Sequence, residues 1–239
     1  MPASIGRIGP MSRQISKLGL RLFAVVAASA VAAMIAAPAQ AAVSSVVLQN
    51  GPPYASGNYP VTVVDKGPGT VSATYLGSTY PCASANGSGQ VHTNIAGVPS
   101  PYLTLTAANI NNCAGPAGTT INVVLKAGCS LKVRVDPTTQ ASAAGLTDTA
   151  ITGKVNANDA SGNPCLRANG GALCQMDVGG ETDATYNEVT QQLTISGSGF
   201  SVSNATGICA FVNGASISLN VAFDITPGSN PDDAINFRP

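Results

Sequence analysis

Apolar and polar side chains alternate along most of the chain beyond residue 58. Residues 59–64 (YPVTVV), 70–75 (TVSATY), 102–106 (YLTLT), 120–125 (TINVVL) and 131–135 (LKVRV) each repeat with a period of two. That period belongs to a strand with one face buried and the other in water. The same pattern recurs at residues 150–155, 182–186, 193–196, 200–203 and 215–225, giving about ten strands. Between them lie clusters such as KGPG (66–69), ANGSG (85–89), NNCAGP (111–116), DASGNP (159–164) and NGG (169–171). Gly and Asn supply the positive φ that tight turns need, so these clusters are expected to be turns. Many short strands with no intervening helix predict an all-β protein, an antiparallel β-sandwich of roughly ten strands. Residues 141–146 are expected to form a single helical turn or a loop, and 137–148 mark a candidate seam within one domain.

The first part of the chain follows a different rule. Arg7, Arg13, Lys17 and Arg21 precede an uncharged, Ala-rich run at residues 22–37, which closes on Pro38 and the small residues around Gln40. This is the layout of a secretory signal peptide, with cleavage expected between Ala41 and Ala42. Sixteen uncharged residues fall short of the roughly 20 needed to cross a bilayer, so no membrane span is expected after cleavage. The expected organisation is residues 1–41 as signal and 42–239 as one domain, located in the periplasm or outside the cell.

Removing the signal changes the charge. The whole chain has eleven basic and eleven acidic residues; the remainder keeps seven Lys and Arg against all eleven acids, a net charge of −4. Scattered cations on an acidic surface do not neutralise a row of phosphates, which excludes nucleic acid as a partner. Cys82, Cys113, Cys129, Cys165, Cys174 and Cys209 all lie beyond the signal. An even count in an exported chain predicts three disulfides. Proximity suggests Cys165 with Cys174, or either with Cys209, and leaves the pairing of the others open.

Candidate chemistry is sparse. A Ser-His-Asp triad or Cys-His pair needs a histidine, and His92 is the only one; its setting, QVHTN, alternates like an exposed strand. Nucleophile-elbow, zinc-protease and phosphate-loop signatures are missing. No catalytic residue and no cofactor is therefore assigned. Asp177, Glu181, Asp183 and Glu188 cluster in DVGGETDATYNE, the residue type a glycosidase-like hydrolase would use. Asn156, Asn158 and Asp159 form an oxygen-rich segment, a weak calcium candidate without the closing bidentate Glu, better explained as an Asx turn. Asn86-Gly-Ser88 and Asn204-Ala-Thr206 fit the N-glycosylation pattern and are expected in surface turns.

The segments TVSATYLGSTYPC (70–82), LTLTAANINNC (103–113), ITGKVNANDASGNPC (151–165), TYNEVTQQLTISGSGFSVS (185–203) and TGICAFVNGASISLNVAF (206–223), with Gly207, Cys209 and Gly214 in a late strand-Gly-Cys-Gly-strand unit, resemble the small secreted bacterial proteins named for the alkane-oxidation activator PraB. The resemblance implies an exported envelope accessory protein associated with growth on hydrophobic substrates or with biofilm, and it brings no catalytic residues.

Residue chemistry and resemblance together predict a secreted, non-catalytic protein with a structural or adhesive role. The long strand at residues 215–225 would offer its edge to a second copy or to another envelope protein. The alternative is a module that binds an apolar small molecule, such as an alkane or surfactant, in an aliphatic cavity. A carboxylate-based hydrolase is a minor alternative.

Overall fold

The computed structural model describes residues 40–43, 45–49, 57–93, 101–115, 118–142, 148–228 and 233–239. The expected signal segment up to residue 39 lies outside them, and the expected cleavage bond falls inside the first strand. The chain runs through β1 (Gln40–Ala42), β2 (Ser45–Gln49), β3 (Asn58–Asp65), β4 (Val71–Tyr75), β5 (Ser78–Pro81), β6 (Ser84–His92), β7 (Pro101–Ala114) and β8 (Thr120–Leu125). It continues through β9 (Leu131–Val135), β10 (Gln140–Ser142), β11 (Ile151–Asn156), β12 (Leu166–Asn169), β13 (Cys174–Asn187), β14 (Gln192–Gly207), β15 (Ser216–Pro227) and β16 (Ala234–Arg238).

The protein is all-β and antiparallel, as the alternation predicts, and its pairing closes on itself. β3 pairs β6, β6 pairs β7, β7 pairs β9, β9 pairs β11, β11 pairs β13, β13 pairs β14, β14 pairs β15, and β15 returns to β3. Closure satisfies the backbone donors and acceptors that a sandwich leaves at its edges. Long strands change neighbours along their length. β7 pairs β9 at Pro101–Leu105 and β8 at Asn109–Ala114; β13 pairs β12 near its start and β11 near its end; β15 pairs β4 near its start and β3 near its end. The ring is thus intact at one end. At the other it splits between β5, which among the described residues pairs only β4, and β6 and β7. There the Cys82–Cys113 disulfide and the hydrogen bond from the Ala83 amide to the Asn111 carbonyl join the two sides.

Alternation delivers one contiguous apolar core. Val61, Val63, Leu103, Leu105, Val133, Val155, Leu193, Ile195, Val221 and Phe223 all point inward. At the intact end, β2 and β16 form a separate pair whose Phe237 packs edge-on to Tyr102 and Tyr186, with ring centroids 4.8 and 5.6 Å away. Such contacts contribute roughly 0.5–1.5 kcal/mol each beyond burial.

Several sequence expectations are corrected. Residues 85–89 and 111–114, expected as turns, lie in β6 and β7. Residues 193–196 and 200–203 belong to a single strand, β14, bent at a register shift between Gly197 and Phe200. Residues 140–142 are strand β10, paired with β1, not helix; residues 143–147 of that candidate seam lie outside the described ones. Asn86 and Asn204 sit in strands β6 and β14, not in turns.

The disulfides are Cys82–Cys113, Cys129–Cys165 and Cys174–Cys209. The Cys174–Cys209 pairing is among those that proximity suggests, and Cys165 with Cys174 is not realised. Cys165 is drawn to the β8–β9 connection instead, because its carbonyl accepts the Lys126 amide at 2.8 Å. Three disulfides mark an oxidising environment. Among the described residues no helix is long and apolar enough to cross a membrane.

Candidate functional site

The fold sets Asp177 and Glu188 apart from each other and from Glu181 and Asp183, which stay close enough that both act on Lys154. Asp177 is 4% exposed and receives Arg167 Nε at 3.0 Å, Asn204 Nδ2 at 3.0 Å and Lys126 Nζ at 3.3 Å. Burial pushes this carboxyl up, but the three donors outweigh it and hold it below the usual carboxylate range. Glu181 pairs with Arg134 and Asp183 with Lys154 across the β13, β11 and β9 ladders. Glu188 lies at the far end of the barrel, buried, accepting the amides of Asp148 (2.6 Å) and Phe237. Each acid is therefore engaged by a cation or by backbone amides, and the four do not converge on one point.

The other polar candidates are also engaged. His92 Nδ1 lies 2.6 Å from Asn58 Oδ1 and Nε2 lies 2.9 Å from Thr104 Oγ1, one polar row across β3, β6 and β7; burial lowers its pKa. In the calcium candidate, Asn156 Oδ1 accepts the Asn158 amide, Asn158 Oδ1 accepts the Gly180 amide, and Asp159 accepts the amides of Ser161 and Asn163. The Asn156 and Asp159 oxygens close their own turn and that of Asn158 ties it to β13, and the side-chain and backbone hydrogen bonds from Asn163 lower the Asp159 pKa. Among the described residues no group of three or more His, Cys, Asp or Glu is placed to hold a metal.

The space that the fold leaves unfilled is apolar. At the split end the barrel encloses a chamber of about 100 Å³. Residues of six strands line it: Ala73 on β4, Tyr80 on β5, Ile110 and the exposed Ala114 on β7, Val123 on β8, Ala168 on β12, and Met176 and Val178 on β13. Tyr75, Cys113, Ile121, Leu166, Phe200, Val212, Ile217 and Leu219 complete it. The only hydroxyls among the lining residues are those of Tyr75 and Tyr80. Three alanines stand where larger residues would close the space. A smaller void of about 30 Å³ continues inward, sharing Ile110, Val123, Leu166, Phe200 and Leu219 as its partition. Tyr75, Tyr80 and Ala114 both line the chamber and reach solvent, which places its mouth beside the unpaired seam between β5 and β7.

Alternation anticipates an aliphatic cavity only as a class and singles out none of these residues. The signal was present in the small side chains Ala73 and Ala168 on the chamber wall and Ala114 at its mouth. The strand at residues 215–225, expected to offer a free edge, is β15, which is paired on both sides. The chain matches no known protein family, no curated protein and no solved structure.

Proposed function

We propose that this protein is an exported, non-catalytic binding module that takes the apolar part of a small molecule into the chamber at its split end. The observation that carries the reading is a preformed cavity walled by carbon and sulfur, with no charged group among its lining residues. An apolar cavity of about 150 Å³ stays dry and takes up benzene; a chamber of about 100 Å³ suits a short alkyl segment. The adhesive reading loses its proposed device, since β15 has no open edge. The resemblance to the PraB-type proteins agrees with a role near hydrophobic substrates at the cell envelope.

Binding is expected to be graded with chain length. Each methylene buried contributes about 0.8 kcal/mol, so in calorimetry with a series of linear alkanols affinity rises about fourfold per carbon and then levels off once the chamber is full. Ala168→Leu, on the buried wall, fills the space and abolishes the binding while circular dichroism and melting temperature stay close to the parent's. Absence of saturable binding across the series, or full binding by Ala168→Leu, overturns the chamber as the site.

A further inference from the structure

The end of the barrel that holds the chamber is unusual on its outside as well. Five connections meet there: Leu76-Gly77 between β4 and β5, Cys82-Ala83 between β5 and β6, the one carrying Gly115, Gly118 and Thr119 between β7 and β8, 170–173 between β12 and β13, and 208–215 between β14 and β15. The registers fix this grouping, since Thr74 faces Ser218, Cys174 faces Gly207, and Ala114 faces Thr120. None of the five contains a charged residue, although the chain beyond the expected signal segment has a net charge of −4.

The tips of these turns carry large apolar side chains in solvent. Leu76 is 79% exposed, Leu173 63%, Phe211 62% and Ile208 43%. The Cys174–Cys209 disulfide and the bond from the Ile208 amide to the Leu173 carbonyl (2.8 Å) hold two of the turns together. Phe211 stands beside Tyr75, ring centroids 6.3 Å apart, next to the chamber mouth. Its neighbour Val212 points the other way and is a chamber wall.

We propose that this end docks on an uncharged lipid surface, with Leu76, Leu173, Ile208 and Phe211 inserted among acyl chains and the chamber mouth opening into them. The inference rests on the chamber reading for the guest that passes through the mouth. The rim's chemistry selects the partner. Burial of Leu and Phe side chains in the acyl boundary is favourable, and turns without Lys or Arg have nothing to offer an anionic headgroup. Four side chains on separate turn tips expose on the order of a few hundred Å², short of the roughly 800 Å² per partner of a standard protein interface. They need no complementary shape to enter a fluid layer. An apolar guest moving between that layer and the chamber would not cross water.

The test is flotation of the intact secreted protein with phosphatidylcholine vesicles at 0.05 and 0.5 M NaCl. The expected result is co-flotation that does not fall with salt, and at least a tenfold lower partition for Leu76→Ser/Phe211→Ser, whose positions are exposed and leave the melting temperature unchanged. Equal partition of variant and parent, loss of binding at high salt, or a parent dimer in sedimentation that the double variant abolishes without any vesicle binding, overturns the proposal. Alkanol titration in solution separates the two readings. If alkanols bind and vesicles do not, docking alone fails; if Ala168→Leu floats normally but takes no alkanol, the rim acts independently of the chamber.

Discussion

Glu188→Ala is expected to lower the stability of the folded protein by about 3 kcal/mol, a fall of about 8 °C in melting temperature for a domain of this size. The Glu188 side chain is 3% exposed and accepts the amides of Phe237 on β16 and of Asp148, with Arg238 Nη1 4.0 Å away. Removing it relieves the desolvation of one carboxylate but strands the buried Phe237 N–H and the half-buried Asp148 N–H. Their unmet hydrogen bonds outweigh that relief. Gln191 supports the same strand: its Oε1 accepts the Ile235 amide and the Tyr186 hydroxyl, both at 2.6 Å, while its Nε2 donates to the Glu188 and Ile235 carbonyls. A glutamine side chain thus stands where a neighbouring strand would. An unchanged denaturant midpoint for Glu188→Ala would show that β16 is held by packing alone.

The same carboxylate sets a pH dependence. Burial raises the Glu188 pKa above its ordinary value, so folding favours its protonated form. Its contribution to stability is complete below the unfolded-state pKa, about 4.3, and is lost as pH rises through the raised folded-state value. Asp136, Asp159 and Asp177, whose pKa values are lowered, contribute the opposite slope. Subtracting a Glu188→Gln variant cancels them, and the difference in stability between parent and variant should shrink as pH rises from the carboxylate range toward neutrality.

The second large effect concerns the split end. Replacing Cys174 and Cys209 with alanine is expected to cost about 4 kcal/mol, the chain-entropy value for a cross-link spanning 35 residues. Both half-cystines are fully buried; they tie the start of β13 to the turn that follows β14. Denaturant unfolding of the double variant against the oxidised parent measures the difference, and equal midpoints would mean that the β13–β14 ladder already restricts the unfolded chain.

The alternation at residues 59–64, 120–125, 131–135 and 215–225 was enough to place β3, β8, β9 and β15, because each of these strands keeps one face in the core. Residues 85–89 misled for a physical reason. Glycine marks both turns and sites where two backbones press together, and β6 is the second case: a Cβ on Gly87 would stand 2.5 Å from the Ala107 carbonyl oxygen, and one on Gly89 2.7 Å from Leu105 Cα. Gly197 and Gly199 likewise mark a bend inside β14, not its end. The proximity of Asp177, Glu181, Asp183 and Glu188 along the chain suggested a shared site, yet β13 is long enough to deliver them to separate partners. The chamber's place and lining have no sequence signature, because it consists of missing volume and single alanines in alternating strands carry no motif.

Closure of the ring joins the strand at Asn58–Asp65 to the one at Ser216–Pro227, the first and last staves of the barrel. Neither stave has its final neighbour until almost the whole polypeptide is available. Pairings this distant in sequence form slowly, so a chain still being made has no way to complete the barrel.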